Sequence, residues 1–277
     1  MFKRMMYAAI GAAAMMAASQ AQATFHLIQI EQVVGGVDGD TSKQAIQLRM
    51  RAAGQNLTSN GRLRVWDAAG ANPVLIVDMT TNVANGAAGS RVLVTSAGFP
   101  TSPGVTPDYP MTNLIPASYL AAGSLTWESD GGIVYWRLSW GGAGYTGSNA
   151  GNIANDSNGD FGPPFGGPLP STTEQAVKFQ GTATALSTTN LADYALTAAA
   201  AVLTNNAGIS GTVVGTPPPA CPADISPKGG DGQVNIDDLT VVILGWGTNN
   251  AAADINDDGT VNIDDLTAVI LGWGACP

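Results

Sequence analysis

Between residues 254 and 265, side chains that carry oxygen fall on alternate positions. Asp254, Asn256, Asp258 and Asn262 occupy positions 1, 3, 5 and 9 of a twelve-residue loop, and Asp265 closes it at position 12. Thr260 at position 7 would add its backbone carbonyl, and Gly259 at position 6 allows the sharp turn such a loop requires. A cation of calcium's size gathers six to eight oxygens at about 2.3–2.6 Å, which this spacing can supply from one short stretch. The chemistry is cation binding rather than bond breaking; a solvated Asp-rich turn is the alternative. The same signal occurs once more. Residues 234–240 recur identically as 261–267, and Gly245-Trp246-Gly247 recurs as Gly272-Trp273-Gly274, always at an offset of 27. Such identity marks an internal duplication. The first copy offers Asp224, Asp231, Gln233, Asn235 and Asp238, with Ser226 in place of an amide and three extra residues ahead of its glycine. It is either a second calcium site or a structural copy of the other loop.

Each loop must be held by the segment behind it. Leu266, Val269, Ile270 and Trp273, like Leu239, Val242, Ile243 and Trp246 before them, repeat at the i, i+3, i+4, i+7 spacing of one helical stripe. Two loop–helix repeats are therefore expected, forming a small all-α module over residues 221–277. The arrangement resembles the type I dockerin, a tandem of two calcium loop–helix motifs without the entering helix of a full EF-hand. The resemblance covers the last fifth of the chain. It implies bound Ca2+ and a module that docks its protein to a cohesin-like domain or other cell-surface partner, most often in polysaccharide breakdown. The chain departs from the family at loop positions 10 and 11, which bear on partner choice: Ile236-Asp237 and Ile263-Asp264 replace small hydroxyl residues.

Cys221 and Cys276 bracket the module, and the chain has no other cysteine. The N-terminus carries Lys3 and Arg4, an apolar run over residues 5–18 and small residues at Ala21 and Ala23, the pattern of a cleaved signal peptide over 1–23. A retained N-terminal anchor is the alternative. A secreted, extracellular product with no membrane segment after cleavage is expected, and in an oxidising compartment an even pair of cysteines is expected to bridge. From Cys221 onward nine Asp face only Lys228, whereas residues 24–220 hold twelve acidic against eight basic side chains. So dense an acidic block repels phosphate and argues against a nucleic-acid partner.

Residues 24–214 are rich in Gly, Thr, Ser, Asn and Val. Short alternating or apolar runs recur at 25–34, 45–51, 62–67, 73–79, 91–95, 124–128 and 132–140, separated by turn material such as Asp130-Gly131-Gly132. The pattern predicts a mainly β chain, an immunoglobulin-like β-sandwich. Its short motifs around Ile28-Gln29-Ile30-Glu31 and Ile133-Val134-Tyr135-Trp136 resemble lamin-tail-like sandwiches of exported bacterial proteins. Residues 141–170 read as a loop, and residues 191–203 as either helix or strand. Gly215-Thr216-Pro217-Pro218-Pro219-Ala220 reads as a semi-rigid linker.

Catalytic machinery is sparse. His26 is the only histidine, which leaves no zinc cluster and makes any Ser-His-Asp or Cys-His apparatus depend on that residue. Glu31, Glu128 and Glu174 are the only glutamates. A carboxylate pair facing one cleft would suit a glycosidase, and solvated edge-strand residues are the simpler reading. Trp136, Trp140 and Tyr145 could stack sugars, but alternation with Val134 and Leu138 places the tryptophans on one inward sheet face. Asp156-Ser157-Asn158-Gly159-Asp160 offers oxygens at alternate positions without the downstream spacing that completes a loop; an Asn/Asp turn is the simpler reading. The preferred reading is non-catalytic: a secreted calcium-binding protein whose C-terminal module tethers a β-sandwich to a scaffold or cell surface, with carbohydrate as a candidate ligand. A carbohydrate-active hydrolase and a matrix protein merely stabilised by calcium are the alternatives.

Overall fold

The computed structural model describes residues 24–215, 221–227, 230–256 and 258–276. The expected signal peptide, and the linker beyond Gly215, lie outside the described residues. The chain divides into two compact units, one ending at Val214 and one beginning at Gly215.

The first unit is mainly β. Its strands are β1 (Ile28–Val34), β2 (Ala45–Met50), β3 (Gly61–Trp66), β4 (Val74–Asp78), β5 (Arg91–Thr95), β6 (Thr101–Ser102), β7 (Tyr109–Pro110), β8 (Gly123–Ser129), β9 (Val134–Trp140), β10 (Val177–Phe179), β11 (Tyr194–Leu196), β12 (Val202–Thr204) and β13 (Ser210–Val213). The seven runs of alternating sequence correspond to β1–β5, β8 and β9. The open segment 191–203 holds the end of a short helix α1 (Asn190–Asp193), then β11 and the start of β12.

Three sheets form. One has the order β11-β10-β1-β2-β5-β7, a second β4-β3-β8-β9 and a third β12-β13-β6. Neighbours run antiparallel except β5 and β7. Alternation puts Ile46, Leu48 and Met50 of β2 and Val92 and Val94 of β5 in one buried cluster with Leu63, Val65, Leu125, Trp127, Trp136, Leu138 and Trp140 from the second sheet. Trp136 anchors it: its ring meets Phe161 and Phe179 edge-on, and its Nε1 donates to Tyr194 Oη at 2.8 Å.

The six-stranded sheet is buried on its other face as well. Every residue of β1 and β2 is buried. Leu203 and Val213 of the third sheet join Val34, Ala45 and Leu93 in a separate apolar cluster there. Buried polar groups on that face make hydrogen bonds, Gln32 Oε1 being an exception. Gln32 Nε2 donates to the Val202 carbonyl at 3.0 Å and Arg49 Nη2 to that of Gly181 at 2.7 Å.

The second unit holds β14 (Gln233–Val234), α2 (Ile236–Gly245), α3 (Ile263–Leu271) and β15 (Gly274–Ala275). Asn235 and Asn262 cap the helices, each in a capping box completed by Asp238 or Asp265. The helices pack on each other around Ala223, Val234, Val242, Ala253, Val261 and Val269. The two halves close crosswise. Val234 in the first loop pairs with Gly274 behind α3, and Val261 in the second loop exchanges hydrogen bonds with Gly247 and Thr248 behind α2.

One expectation is corrected. Leu239 and Leu266 are half-buried and Val242 and Val269 fully so, but Ile243, Trp246, Ile270 and Trp273 are exposed rather than packed. Two helices this short offer each other one narrow contact face, and the apolar stripe is wider than that face. Among the described residues, no helix is long and apolar enough to cross a membrane.

Candidate metal centre

The two loops have the same local architecture. In the second, Asp254 Oδ1 accepts the N–H of Asp258 at 3.1 Å and Oδ2 that of Gly259 at 2.8 Å. In the first, Asp224 Oδ1 accepts from Asp231 at 3.0 Å and Oδ2 from Gly232 at 2.8 Å. Asp224 thus takes the place of Asp254, and Asp231 that of Asp258, although seven residues rather than four separate them. The three-residue insertion is absorbed between Ser226 and Asp231.

The closing carboxylates match too. Asp265 is fully buried; its Oδ1 accepts from Ile255 at 2.6 Å and Asn256 at 3.2 Å, and its Oδ2 from Asn262 at 2.8 Å. Asp238 takes N–H groups from Ile225, Ser226 and Asn235 in the same manner. Burial pushes both carboxyls up, but these backbone donors outweigh it and hold both below the ordinary carboxylate value. The sequence singled out Asp238 and Asp265 as ligands. Their role as the pins that tie loop to helix was readable from the Asn-x-x-Asp spacing of the capping boxes. The loop-forming N–H groups of Ile225 and Ile255 left no mark in the sequence.

Asp258, Thr260, Asn256 and Asn262 converge in the second loop. Asn262 Nδ2 donates to Asp258 Oδ2 and to the Thr260 carbonyl, both at 3.0 Å, and Asn256 Nδ2 donates to the same Asp258 oxygen at 3.0 Å. Hydrogen bonds from Asn256, Thr260 and Asn262 hold the Asp258 carboxyl below its ordinary value. Two amide nitrogens therefore occupy the place a cation would take among these oxygens. The donor set of carboxylates, amides and a carbonyl suits a hard ion such as Ca2+ and not a soft one. The first loop converges less tightly: Asn235 Nδ2 reaches the Gln233 carbonyl at 3.5 Å, and Asp231 Oδ1 accepts from the Gln233 N–H. Ser226 takes the position of Asn256 without an amide to offer.

Cys221 and Cys276 form a disulfide with Cα atoms 5.9 Å apart, so the cluster they make with Asp224 contains no thiolate to bind a soft metal. The bridge spans 55 residues of chain. Replacing both cysteines by serine is expected to lower the stability of the second unit by about 2–4 kcal/mol. Chemical denaturation followed through the helical signal measures this; an unchanged midpoint would show the bridge to be energetically idle.

Two of the three glutamates do not share a cleft. Glu31 on β1 and Glu128 on β8 lie in different sheets and are fully buried, not solvated at strand edges as the sequence suggested. Arg49 and Arg91 clamp Glu31, and Arg62 and Arg64 clamp Glu128. His26 is half-buried beside Tyr135, with ring centroids 6.0 Å apart. Trp127, Trp136, Trp140 and Tyr145 are core residues, so they offer no stacking platform for a sugar.

The exposed apolar residues of the second unit are themselves duplicated. Ile236, Ile243, Leu244 and Trp246 have exposed counterparts in Ile263, Ile270, Leu271 and Trp273, and Leu244 and Leu271 are 81% and 82% exposed. No protein-family model matches the chain, and no curated protein is significantly similar to it.

Proposed function

We propose that the second unit is a calcium-binding, dockerin-like module that tethers the first unit, an immunoglobulin-like β-sandwich, to a scaffold or cell-surface partner outside the cell. The observation that carries this reading is the matched hydrogen bonding of the two loops. Asp224 and Asp254 each span two N–H groups of their loop, and Asp238 and Asp265 each accept three, despite the insertion in the first copy. Duplication accounts for the likeness of the two halves; that the Asp positions keep their bonds across the three-residue insertion supports two cation cradles. The duplicated exposed apolar residues support a partner surface, since exposed apolar side chains that gather into a patch mark an interaction site. Ile236 and Ile263, at loop position 10, belong to that surface, which favours an apolar partner over one that reads hydroxyl groups.

Calcium would order the loops by supplying the charge that Asp254, Asp258 and Asp265, or Asp224, Asp231 and Asp238, share among themselves. The chain's own residues then do the rest: Asn235 and Asn262 start the helices, and Asp238 and Asp265 fix each helix to its loop.

Calorimetric titration of the full chain with calcium tests the proposal. Asp254→Ala is expected to remove about one equivalent, and Asp224→Ala about one more, with dissociation constants as weak as about 10⁻³ M compatible with an extracellular module. Retention on an immobilised cohesin domain that chelation releases would support tethering. Calcium stoichiometry untouched by either substitution would overturn the reading.

A further inference from the structure

We infer that the loop 156–160 of the β-rich unit holds one hard divalent cation, with the buried carboxylate of Asp156 as its anchoring ligand. Asp156 is fully buried. Its Oδ1 faces into the loop and accepts N–H groups from Asn158 at 2.9 Å, Gly159 at 2.8 Å and Asp160 at 3.1 Å. Its Oδ2 is shielded from water and has no hydrogen-bond partner. A buried carboxylate oxygen with nothing to accept is costly, and two remedies exist: a donor or a cation. No basic side chain provides the remedy. Among the described residues, no ion pair reaches Asp156, Asp160 or Asp193. Arg51, which reaches this segment, donates instead to the Ala154, Thr184 and Ala185 carbonyls and to Asn155 Oδ1.

The surroundings supply oxygen. Asp160 is exposed and uses Oδ1 to accept from Gly162, which leaves its other carboxylate oxygen outside that bond. Asn158 adds an amide oxygen that now accepts from Asp160. Asp193 holds Ser187, whose backbone pairs with Asp156, and brings a further negative charge to the segment. All these donors are hard oxygens, with no sulfur or imidazole among them, so a hard cation such as calcium is the class they suit.

Equilibrium dialysis against calcium chloride, on the full chain carrying Asp224→Ala and Asp254→Ala, separates this site from the C-terminal loops. About one equivalent is expected to remain at free calcium on the order of 10⁻³ M, and adding Asp156→Asn is expected to abolish it. No residual equivalent, or a residual one insensitive to Asp156→Asn, overturns the inference. Should Asp156→Asn fail to fold, Asp160→Asn, which alters an exposed side chain, is expected to weaken the residual affinity at least tenfold, and unchanged affinity there overturns it equally.

Discussion

The double substitution Asp238→Ala, Asp265→Ala is expected to unfold the second unit with or without calcium, while the β-rich unit stays folded. Each carboxylate is fully buried and accepts three backbone N–H groups. Truncation leaves those donors without partners, at about 1–3 kcal/mol for each one that stays buried. It also breaks a capping box, which contributes about 1 kcal/mol more. A single core of this size supplies only about 3–5 kcal/mol and the disulfide about 2–4 kcal/mol more, so losing both pins takes most or all of what the unit has. The expected result is loss of the helical circular dichroism signal and of one thermal transition, with the second transition unchanged. Asp254→Ala is the contrast: it removes a ligand but no pin, so the calcium-free melting temperature should move little. Retained helices in the double variant would mean that the carboxylates serve the ion alone. The same bonds set the acid limit of the calcium-free unit. Both carboxyls lie below the ordinary value of 3.8 when folded, so their stabilisation is complete above that value and is lost as pH falls through the folded one. Melting of the helices should therefore shift only below about pH 4.

The hydrogen-bonded loops were legible in the sequence because their oxygen-bearing residues recur at short fixed spacing, within twelve residues in the second copy and with three more in the first. The same holds for β1–β5, β8 and β9, where alternation such as Val134, Trp136, Leu138 and Trp140 names the buried face directly. What covers a face is not local, and there the sequence was silent. Gln29, Glu31, Gln47 and Arg49 alternate with aliphatic residues as in a half-solvated sheet, yet all are buried. Their cover comes partly from β12, β13 and β6, strands of two to four residues, too short to carry a period. In the second unit the failure is reversed: Ile243 and Ile270 sit on a legible stripe, but each stays more than half exposed. Asp156 illustrates a third case. Its spacing suggests a plain turn, and the N–H groups that its Oδ1 accepts from residues 158–160 form one, whereas the full burial of the carboxylate left no mark in the sequence.

Glu31→Ala is expected to destabilise the β-rich unit by about 3–5 kcal/mol. Four contacts converge on its carboxylate: Arg49 Nη1 at 3.0 Å, Arg91 Nε at 2.8 Å and Nη2 at 3.1 Å, and Gln47 Nε2 at 2.8 Å. Burial pulls the Arg49 guanidinium below its ordinary value, and the Glu31 charge is what opposes it. Without Glu31, Arg49 must keep its charge against Gln29 and the Gly181 carbonyl or break those contacts to reach water, because only 11% of its side chain is exposed. Glu128→Ala supplies the comparison. Its partners Arg62 and Arg64 are each 23% exposed and can swing their charge to water, so the expected loss is smaller. Adding Arg49→Met to Glu31→Ala should recover part of the stability, because it removes the stranded charge along with its lost partner. Urea denaturation of the three variants measures all of this. The outcome also bears on function. A catalytic glutamate can be replaced with the fold intact and the activity gone, whereas here replacement is expected to appear as unfolding. If Glu31→Ala left the denaturation midpoint unchanged, the carboxylate would not be structural, and a role in chemistry would return to consideration.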